Sequence, residues 1–250
     1  MMPGPNRLVF SGLEAIALET AGRILAIAED AVKERNTFRL VLSGGSTPKR
    51  LYEVLAASFR TRLPWHRVHF FWGDERCVDP HHPDSNYRLA REAFLEKLDI
   101  PGDNIHRMHG EASEPDAAAR GYEEEIRRHF GLRLEDPPPC FDLVLLGMGA
   151  DGHTASLFPG TRGLRETTRW VTANPGPRET TRLTLTPVIL NQAAWVIFMV
   201  AGADKARMLA EVLDGPFEPE RRPAQCIRPA SGRLLWLVDE AAAAGRVTTP

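Results

Sequence analysis

The sequence is poor in cysteine, in net charge and in long apolar runs. Its three cysteines, Cys77, Cys140 and Cys226, lie far apart and form no CxxC pair, so neither a disulfide framework nor a cysteine-based zinc site is indicated. The formal net charge of the 250 residues is -2, which argues against a nucleic-acid or anionic-membrane partner. The longest apolar run, which begins at Ala193, is too short to cross a bilayer.

A secretory signal is also missing from the first residues, MMPGPNRLVFSG, where no charged stretch precedes an apolar core. Scattered cysteines are typical of a reducing compartment, so we expect a cytoplasmic protein. Apolar residues make up 43% of the chain and charged residues 26%. These proportions are those of globular proteins, and they predict a sizeable core rather than disorder.

Apolar segments typical of buried strands alternate with amphipathic helical patterns. The predicted strands include residues 38–43, 67–73, 141–149 and 195–202, and the predicted helices include residues 13–35, 48–59, 85–98 and 116–130. Continuous apolar strands between helices indicate a mostly parallel sheet covered on both faces. Two proline-rich segments interrupt this alternation without ending it, so we predict a single α/β domain over residues 1–250.

In such a sheet, ligands bind outside the carboxyl ends of the strands. The first predicted apolar strand ends in the segment SGGSTP, which contains Ser43, Gly44, Gly45, Ser46 and Thr47. Its glycines allow backbone N–H groups to turn toward an anion, and the hydroxyls and the following helix N-terminus add donors. The segment matches neither a Walker A loop nor GxGxxG. It fits a monophosphate site better than a nucleotide site, although an ordinary tight turn explains the same residues.

A second strand end, LLGMGADGH, presents an aspartate and a histidine two residues apart, Asp151 and His153. Gly147 and Gly149 allow the backbone to approach a ligand closely, and the following TASLF segment is predicted to begin a helix. Histidine takes and returns a proton near neutral pH, and a nearby carboxylate can fix its orientation. The alternative is a capping aspartate beside a surface histidine, but the glycines and the strand end favour a functional pair.

Charged residues follow two further strands. Asp74 and Arg76 lie in the segment WGDERC and are either site residues or part of a solvated charge run. Lys205, in the segment AGADKA, is one of only four lysines in the chain. It is either a point-charge ligand for phosphate or an ordinary exposed helix residue.

Five long motifs, in this order, resemble 6-phosphogluconolactonases of the family that also contains glucosamine-6-phosphate deaminases. They are SGGSTPKRLYEVLA, FFWGDERCVDPHHPDSNYRLAREAFL, LVLLGMGADGHTASLFPG, TRLTLTPVILNQAAWVIFMVAGADKARML and PAQCIRPASGRLLWLVDEAA. The similarity extends from about Leu8 to Ala243. It implies a Rossmann-like three-layer α/β/α fold, no metal or organic cofactor, and hydrolysis of 6-phospho-D-glucono-1,5-lactone to 6-phosphogluconate in the oxidative pentose phosphate pathway. The unrelated β-propeller lactonases contain repeats that this chain lacks.

The resemblance also implies roles for single residues. His153 matches the general base, and Asp151 either orients it or tunes its basicity. Arg76 either contacts phosphate or stabilises the developing oxyanion. Asp74 is expected to position the sugar or the histidine. The remaining expected substrate and phosphate contacts are Ser43, Gly44, Gly45, Ser46, Thr47, Arg182 and Lys205.

Two other functions compete with lactone hydrolysis. The first is the deaminase reaction. In the deaminase relatives the GDER region reads more like MDEY, so Arg76 stands here where they have a tyrosine. Those relatives also have a glutamate after DGH, in an FNEP-like stretch, whereas this chain has TASLFPG there. A sugar-phosphate sensor without turnover is the second alternative, but no basic helix-turn-helix segment precedes Leu8. A small sugar phosphate is the expected partner, and the sequence makes no prediction of oligomeric state.

Overall fold

The computed structural model describes residues 6–246. Along the chain its main elements are β1 (Asn6–Phe10), α1 (Leu13–Arg35), β2 (Phe38–Leu42), α2 (Ser46–Ser58), β3 (Val68–Trp72), β4 (Asp74–Arg76), α3 (Asn86–Ala93), α4 (Pro115–Phe130), β5 (Leu143–Leu146), β6 (Val171–Pro175), β7 (Thr181–Leu185), α5 (Pro187–Leu190), β8 (Trp195–Val200), α6 (Ala206–Asp214), β9 (Arg233–Asp239) and α7 (Glu240–Ala243).

Six strands form one sheet in the order β1-β9-β8-β5-β2-β3, and every neighbouring pair in it is parallel. Helices flank this sheet, so the predicted α/β fold with a mostly parallel sheet is confirmed. All residues of the central strand β5 are buried, whereas β1 at the edge is largely exposed. The chain passes from β2 outward to β3 and returns to β5 on the other side of β2. This reversal opens a crevice between the carboxyl ends of β2 and β5.

The apolar residues of helix α1 recur at helical spacing and pack into the core. Its buried residues, which include Ile16, Ala17, Ala21, Ile24, Leu25 and Ala28, recur at three- and four-residue spacing, and they form one apolar stripe. The helix ends at Asn36, which adopts a left-handed conformation (φ 59°) and donates its N–H to the Val32 carbonyl at 2.8 Å. The predicted helix over residues 13–35 is confirmed.

A second, antiparallel sheet in the order β4-β7-β6 was not predicted from the sequence. It joins the main sheet through Gly73, whose N–H donates to the Leu42 carbonyl at 2.9 Å and whose carbonyl accepts from Leu185 N at 2.8 Å. Helix α4 packs on β6 and β7, and its Glu123 accepts a hydrogen bond from Trp170 N at 2.8 Å. The small sheet therefore lies beside the carboxyl end of β3.

Two predicted helices differ from the structure. The segment after His153 forms no α-helix, because Ala155 takes a left-handed conformation (φ 46°) and Thr154 bridges back to Leu157. The helix predicted over residues 85–98 ends at Ala93 as α3, and a short 3-10 turn follows it. The helix is capped by Ser85, whose hydroxyl accepts from Arg88 N at 3.1 Å.

One hydrophobic core extends through both sheets and their helices. The single domain predicted over residues 1–250 reaches beyond the described residues at both ends. Among residues 6–246, no helix combines the length and the apolar character that a bilayer crossing requires.

Candidate active site

A cavity of about 360 Å³ opens at the carboxyl ends of β2, β5 and β8. The cavity wall contains ten of the eleven predicted site residues: Ser43, Gly44, Gly45, Ser46, Thr47, Asp74, Arg76, His153, Arg182 and Lys205. The eleventh, Asp151, is hydrogen-bonded to His153. The structure therefore brings together side chains that are as many as 162 positions apart in the sequence, from Ser43 to Lys205.

The loop after β2 is built to expose its backbone to the cavity. Gly45 has φ 105°, a conformation that favours glycine, and α2 begins at the next residue. A side chain at Gly44 would overlap the amide of Asn86. Behind the loop, the buried Tyr52 hydroxyl accepts from Ser43 N at 3.0 Å and donates to Ser43 O at 2.7 Å. These two bonds hold the loop in place.

The His153 imidazole has a carboxylate on one side and the cavity on the other. Its Nδ1 lies 2.5 Å from Asp151 Oδ1, and its ring packs on Phe158 with the centroids 4.6 Å apart. Partial burial on its own would raise the pKa of Asp151, but the hydrogen bond and charge of His153 lower it overall. Asp151 is therefore ionised at neutral pH, keeps the proton of the neutral ring on Nδ1 and leaves Nε2 as the basic nitrogen.

Backbone bonds of the same loop set the position of this pair. Gly149 N donates to the His153 carbonyl at 2.9 Å, and Gly152 N donates to the Gly149 carbonyl at 3.0 Å. Gly152 has φ 83°, a value that disfavours other residues. A methyl group at Gly149 would overlap both the His153 ring and the Asp151 carboxylate. Gly149 is therefore required by the side chains that it adjoins, and Gly152 by its backbone conformation.

Asp74 connects the two sheets to the histidine loop. Its buried carboxylate accepts from Ser156 Oγ at 2.6 Å and from Asn86 Nδ2 at 3.2 Å. Ser156 lies three residues after His153, so Asp74 fixes the loop that carries the imidazole. Ser156 and Asn86 also line the cavity, and neither was predicted from the sequence. Asn86 directly follows Ser85, the cap of α3, and this position was the one available signal, whereas Ser156 lies in a segment predicted to be helical.

Three basic side chains give the cavity a local positive charge. Arg76 and Arg182 face each other as register partners on β4 and β7, and Arg76 also donates to the Asp84 carbonyl. Burial, followed by the charge of Arg76, lowers the pKa of Arg182. Lys205 contributes from the segment after β8, where its ammonium pairs with Asp204 at 3.0 Å. Guanidinium and ammonium groups placed in this way suit a phosphate.

The family model described as glucosamine-6-phosphate isomerases/6-phosphogluconolactonase matches residues 12–236. The chain belongs to this family. The curated 6-phosphogluconolactonase of a Synechocystis species is 46% identical to it over 212 residues, which cover 85% of this chain and 86% of the relative. The enzyme of the same name from a Nostoc species is 43% identical over 235 residues, which cover 92% of this chain and 93% of the relative.

A solved structure described as 6-phosphogluconolactonase from Trypanosoma cruzi has the same fold as this family member. Its TM-score is 0.84 at 29% sequence identity, over 97% of each chain. Because these alignments cover nearly the full length of each protein, the family assignment extends to both sheets and to the cavity between them.

Proposed function

We propose that this family member is a 6-phosphogluconolactonase, which hydrolyses 6-phospho-D-glucono-1,5-lactone to 6-phospho-D-gluconate. The observation that carries the proposal is one cavity lined both by a carboxylate-oriented imidazole and by Arg76, Arg182 and Lys205. The curated relatives at 46% and 43% identity bear this enzyme name. The chemistry requires a base for water and a positive surface for the phosphate, and the cavity contains both.

In the proposed mechanism, His153 acts as the general base. Its Nε2 takes a proton from a water molecule while the water oxygen forms a bond to the lactone carbonyl carbon. The carbonyl electron pair moves to oxygen, giving a tetrahedral oxyanion. When this intermediate collapses, the bond between the carbonyl carbon and the ring oxygen breaks, and the imidazolium returns the proton to that oxygen. Asp151 stabilises the imidazolium and keeps the ring oriented.

The phosphate end of the substrate is assigned to the basic wall and the loop after β2. The N-terminus of the 13-residue helix α2 and the Ser46 and Thr47 hydroxyls supply donors for an anion. Arg182 and Lys205 supply charge. Arg76 is the register partner of Arg182 and lines the same cavity as Asp74, so it either binds phosphate or stabilises the oxyanion. Holding the phosphate fixes the distance of the carbonyl carbon from His153, which is how binding promotes the reaction.

The deaminase alternative fits the cavity less well. Sugar ring opening in that relative uses an acidic residue in the stretch after DGH, and the corresponding segment here, TASLFPG, contains no carboxylate. The hydroxyl of Ser156, within this segment, is directed to Asp74 instead. A sensor that only binds sugar phosphate needs no base, so it does not explain the oriented His153, and we do not favour this alternative.

The direct test is an assay of acid release from freshly prepared 6-phosphogluconolactone, with spontaneous opening subtracted. We expect turnover of the lactone and none of glucosamine 6-phosphate, which serves as the control. Ammonia release from the amino sugar would support the deaminase instead. Binding of both sugar phosphates without turnover would support the sensor.

We also propose that the chain works as one domain, because a single core spans both sheets. A cytoplasmic location and the lack of a nucleic-acid partner remain our proposals, supported by the scattered cysteines and the net charge of -2.

A further inference from the structure

Three histidines from distant parts of the chain meet beside the edge strand β3. His69 lies within β3, His106 follows the residue that bridges to β3, Ile105, and His129 lies in the last turn of α4. One ring nitrogen of each lies within 4.8 Å of those of the other two. None of the three lines the cavity described above, so the proposed lactonase mechanism does not use them.

The innermost of these rings, His106, is already arranged as a metal ligand. Its Nδ1 lies 2.8 Å from the Glu125 carboxylate, which accepts the ring proton and leaves a lone pair on Nε2. Metal-bound imidazoles are oriented by a carboxylate in the same way. His106 Nε2 lies 3.1 Å from His69 Nδ1. Two nitrogens bound to one tetrahedral zinc ion are separated by about 3.3 Å, given Zn–N bonds of about 2.0 Å.

The third ring, His129, packs against both of the others. Its centroid lies 4.4 Å from that of His69 and 4.8 Å from that of His106. His69 and His129 are partly exposed, so an ion can reach the cluster from solvent.

One neighbouring group opposes an ion. Arg39, the register partner of His69 on β2, donates from Nε to His129 Nε2 at 3.2 Å, and its guanidinium lies over the Phe130 ring at 4.5 Å. This cation repels a metal ion and competes for one nitrogen of His129. The site is therefore expected to bind less tightly than it would without Arg39.

We propose that His69, His106 and His129 bind one divalent transition-metal ion of the zinc type. Three imidazoles suit Zn²⁺, Ni²⁺ or Cu²⁺ and leave the fourth tetrahedral position to water. The ion joins β3, the segment between α3 and α4, and the end of α4. Its role is structural, since binding to the folded state alone stabilises that state by mass action. The three residues are 37 and 23 positions apart in the sequence, which explains why no metal-binding motif is visible there.

The test uses full-length protein freed of metal by a chelator and then titrated with Co²⁺, whose visible absorption reports tetrahedral coordination. We expect one Co²⁺ per chain, displacement by one equivalent of Zn²⁺, and a saturable rise in Tm with Zn²⁺. His106→Gln should abolish all three signals. His66→Gln, an exposed histidine close to His69, is the matched control and should retain them. His153→Ala should also retain them, because His153 lies in the cavity.

Two further variants leave all three rings in place and keep the test decisive if His106→Gln fails to fold. Glu125→Gln removes the carboxylate charge behind His106 and should weaken Zn²⁺ binding roughly 10–100-fold, the usual effect of losing such a partner. Arg39→Met removes the opposing cation and should tighten binding several-fold. A purely aromatic packing role, such as the stacking of His106 on Phe71 with the centroids 4.4 Å apart, predicts neither effect.

Three results would overturn the proposal. They are the lack of any Co²⁺ absorption and Zn²⁺-dependent Tm rise in the wild-type protein, signals that survive His106→Gln, and signals that disappear only in His153→Ala. None of these readouts depends on lactone hydrolysis, so the metal site and the proposed function can fail independently.

Discussion

At the scale of single residues, one carboxylate decides which nitrogen of His153 can act as a base. Asp151 occupies Nδ1 at 2.5 Å, so Nε2 is the nitrogen that remains for a substrate water. The spacing of two residues makes this contact local, since the His153 N–H also donates to Asp151 Oδ1 at 3.2 Å. This is why the sequence alone could predict the pair.

Removal of the base is the first test at this scale. We expect His153→Ala to keep its fold and to lose roughly 10²–10⁴-fold in kcat, the usual range for a general base. Steady-state kinetics on the lactone measures the loss, and His66→Ala, an exposed histidine outside the cavity, is the control. Turnover close to that of the wild type would exclude His153 from the mechanism.

Asp151→Asn tests the orienting carboxylate through pH. The lowered pKa of Asp151 keeps it ionised at neutral pH, so it holds the ring proton on Nδ1 and stabilises the imidazolium formed during the reaction. Asparagine has the same shape but no charge, so kcat should decrease while the fold is kept. Because the pKa of Asp151 is lowered, the carboxylate stabilises the folded protein above its ordinary pKa, and this contribution is lost as pH falls through the lowered value. The stability difference between wild type and Asp151→Asn should therefore narrow in acid.

The measurements for Asp151→Asn are kcat at neutral pH and Tm against pH, with circular dichroism as the check on folding. An unchanged kcat would contradict the orienting role. A Tm difference from the wild type that does not depend on pH would show that the carboxylate charge does not stabilise the fold.

Arg76→Ala separates the two roles left open for Arg76. If Arg76 binds phosphate, KM for the phosphorylated lactone should rise strongly, whereas kcat/KM for unphosphorylated gluconolactone should change little. Equal losses for both lactones would instead assign Arg76 to the oxyanion. Kinetics with the two substrates distinguishes these outcomes, and an Arg76→Ala enzyme unchanged for both would remove Arg76 from the site.

At the scale of elements, the loop after β5 shows how glycine permits side-chain placement. A methyl group at Gly149 would overlap the His153 imidazole. We therefore expect Gly149→Ala to displace the ring and to reduce kcat by at least about tenfold, because catalysis is sensitive to small misplacements. Wild-type kcat in this variant would show that the loop adjusts freely.

Gly22→Ala is the matched control for Gly149→Ala. Gly22 lies on the exposed side of α1, and a methyl group there meets no atom within 4 Å. Alanine is favoured over glycine inside a helix by about 1 kcal/mol, so Tm should rise by roughly 2–4 °C with unchanged kcat. Differential scanning calorimetry and the lactone assay together report both effects.

At the scale of the whole molecule, the net charge is -2, yet three basic side chains, Arg76, Arg182 and Lys205, line one cavity. The pKa of Arg182 is lowered by burial and by the adjacent Arg76, so the free protein holds two guanidinium groups close together without a full counter-charge. An anion relieves this repulsion. Substrate binding and protein stability should therefore be linked.

Inorganic phosphate should raise Tm through this linkage. At a concentration about 100 times Kd, binding stabilises the folded protein by about 2.7 kcal/mol, which corresponds to a rise of roughly 5–10 °C. Arg182→Met should reduce the phosphate-dependent rise and increase Tm without phosphate. Chloride at equal ionic strength is the control, and an equal rise with both salts would show that no specific anion site exists.

The sequence by itself determined the apolar strands, the helices between them and the chemistry at the strand ends, because periodicity, glycine and the short spacing of Asp151 and His153 are local properties. Only the tertiary structure decided which distant residues meet. The antiparallel sheet places Arg76 opposite Arg182. Asp74 accepts a hydrogen bond from Ser156, which lies in a segment whose pattern suggested a helix. Strand pairing and side-chain hydrogen bonds between remote segments leave no periodic trace in the chain, so neither contact could be derived from residue order alone.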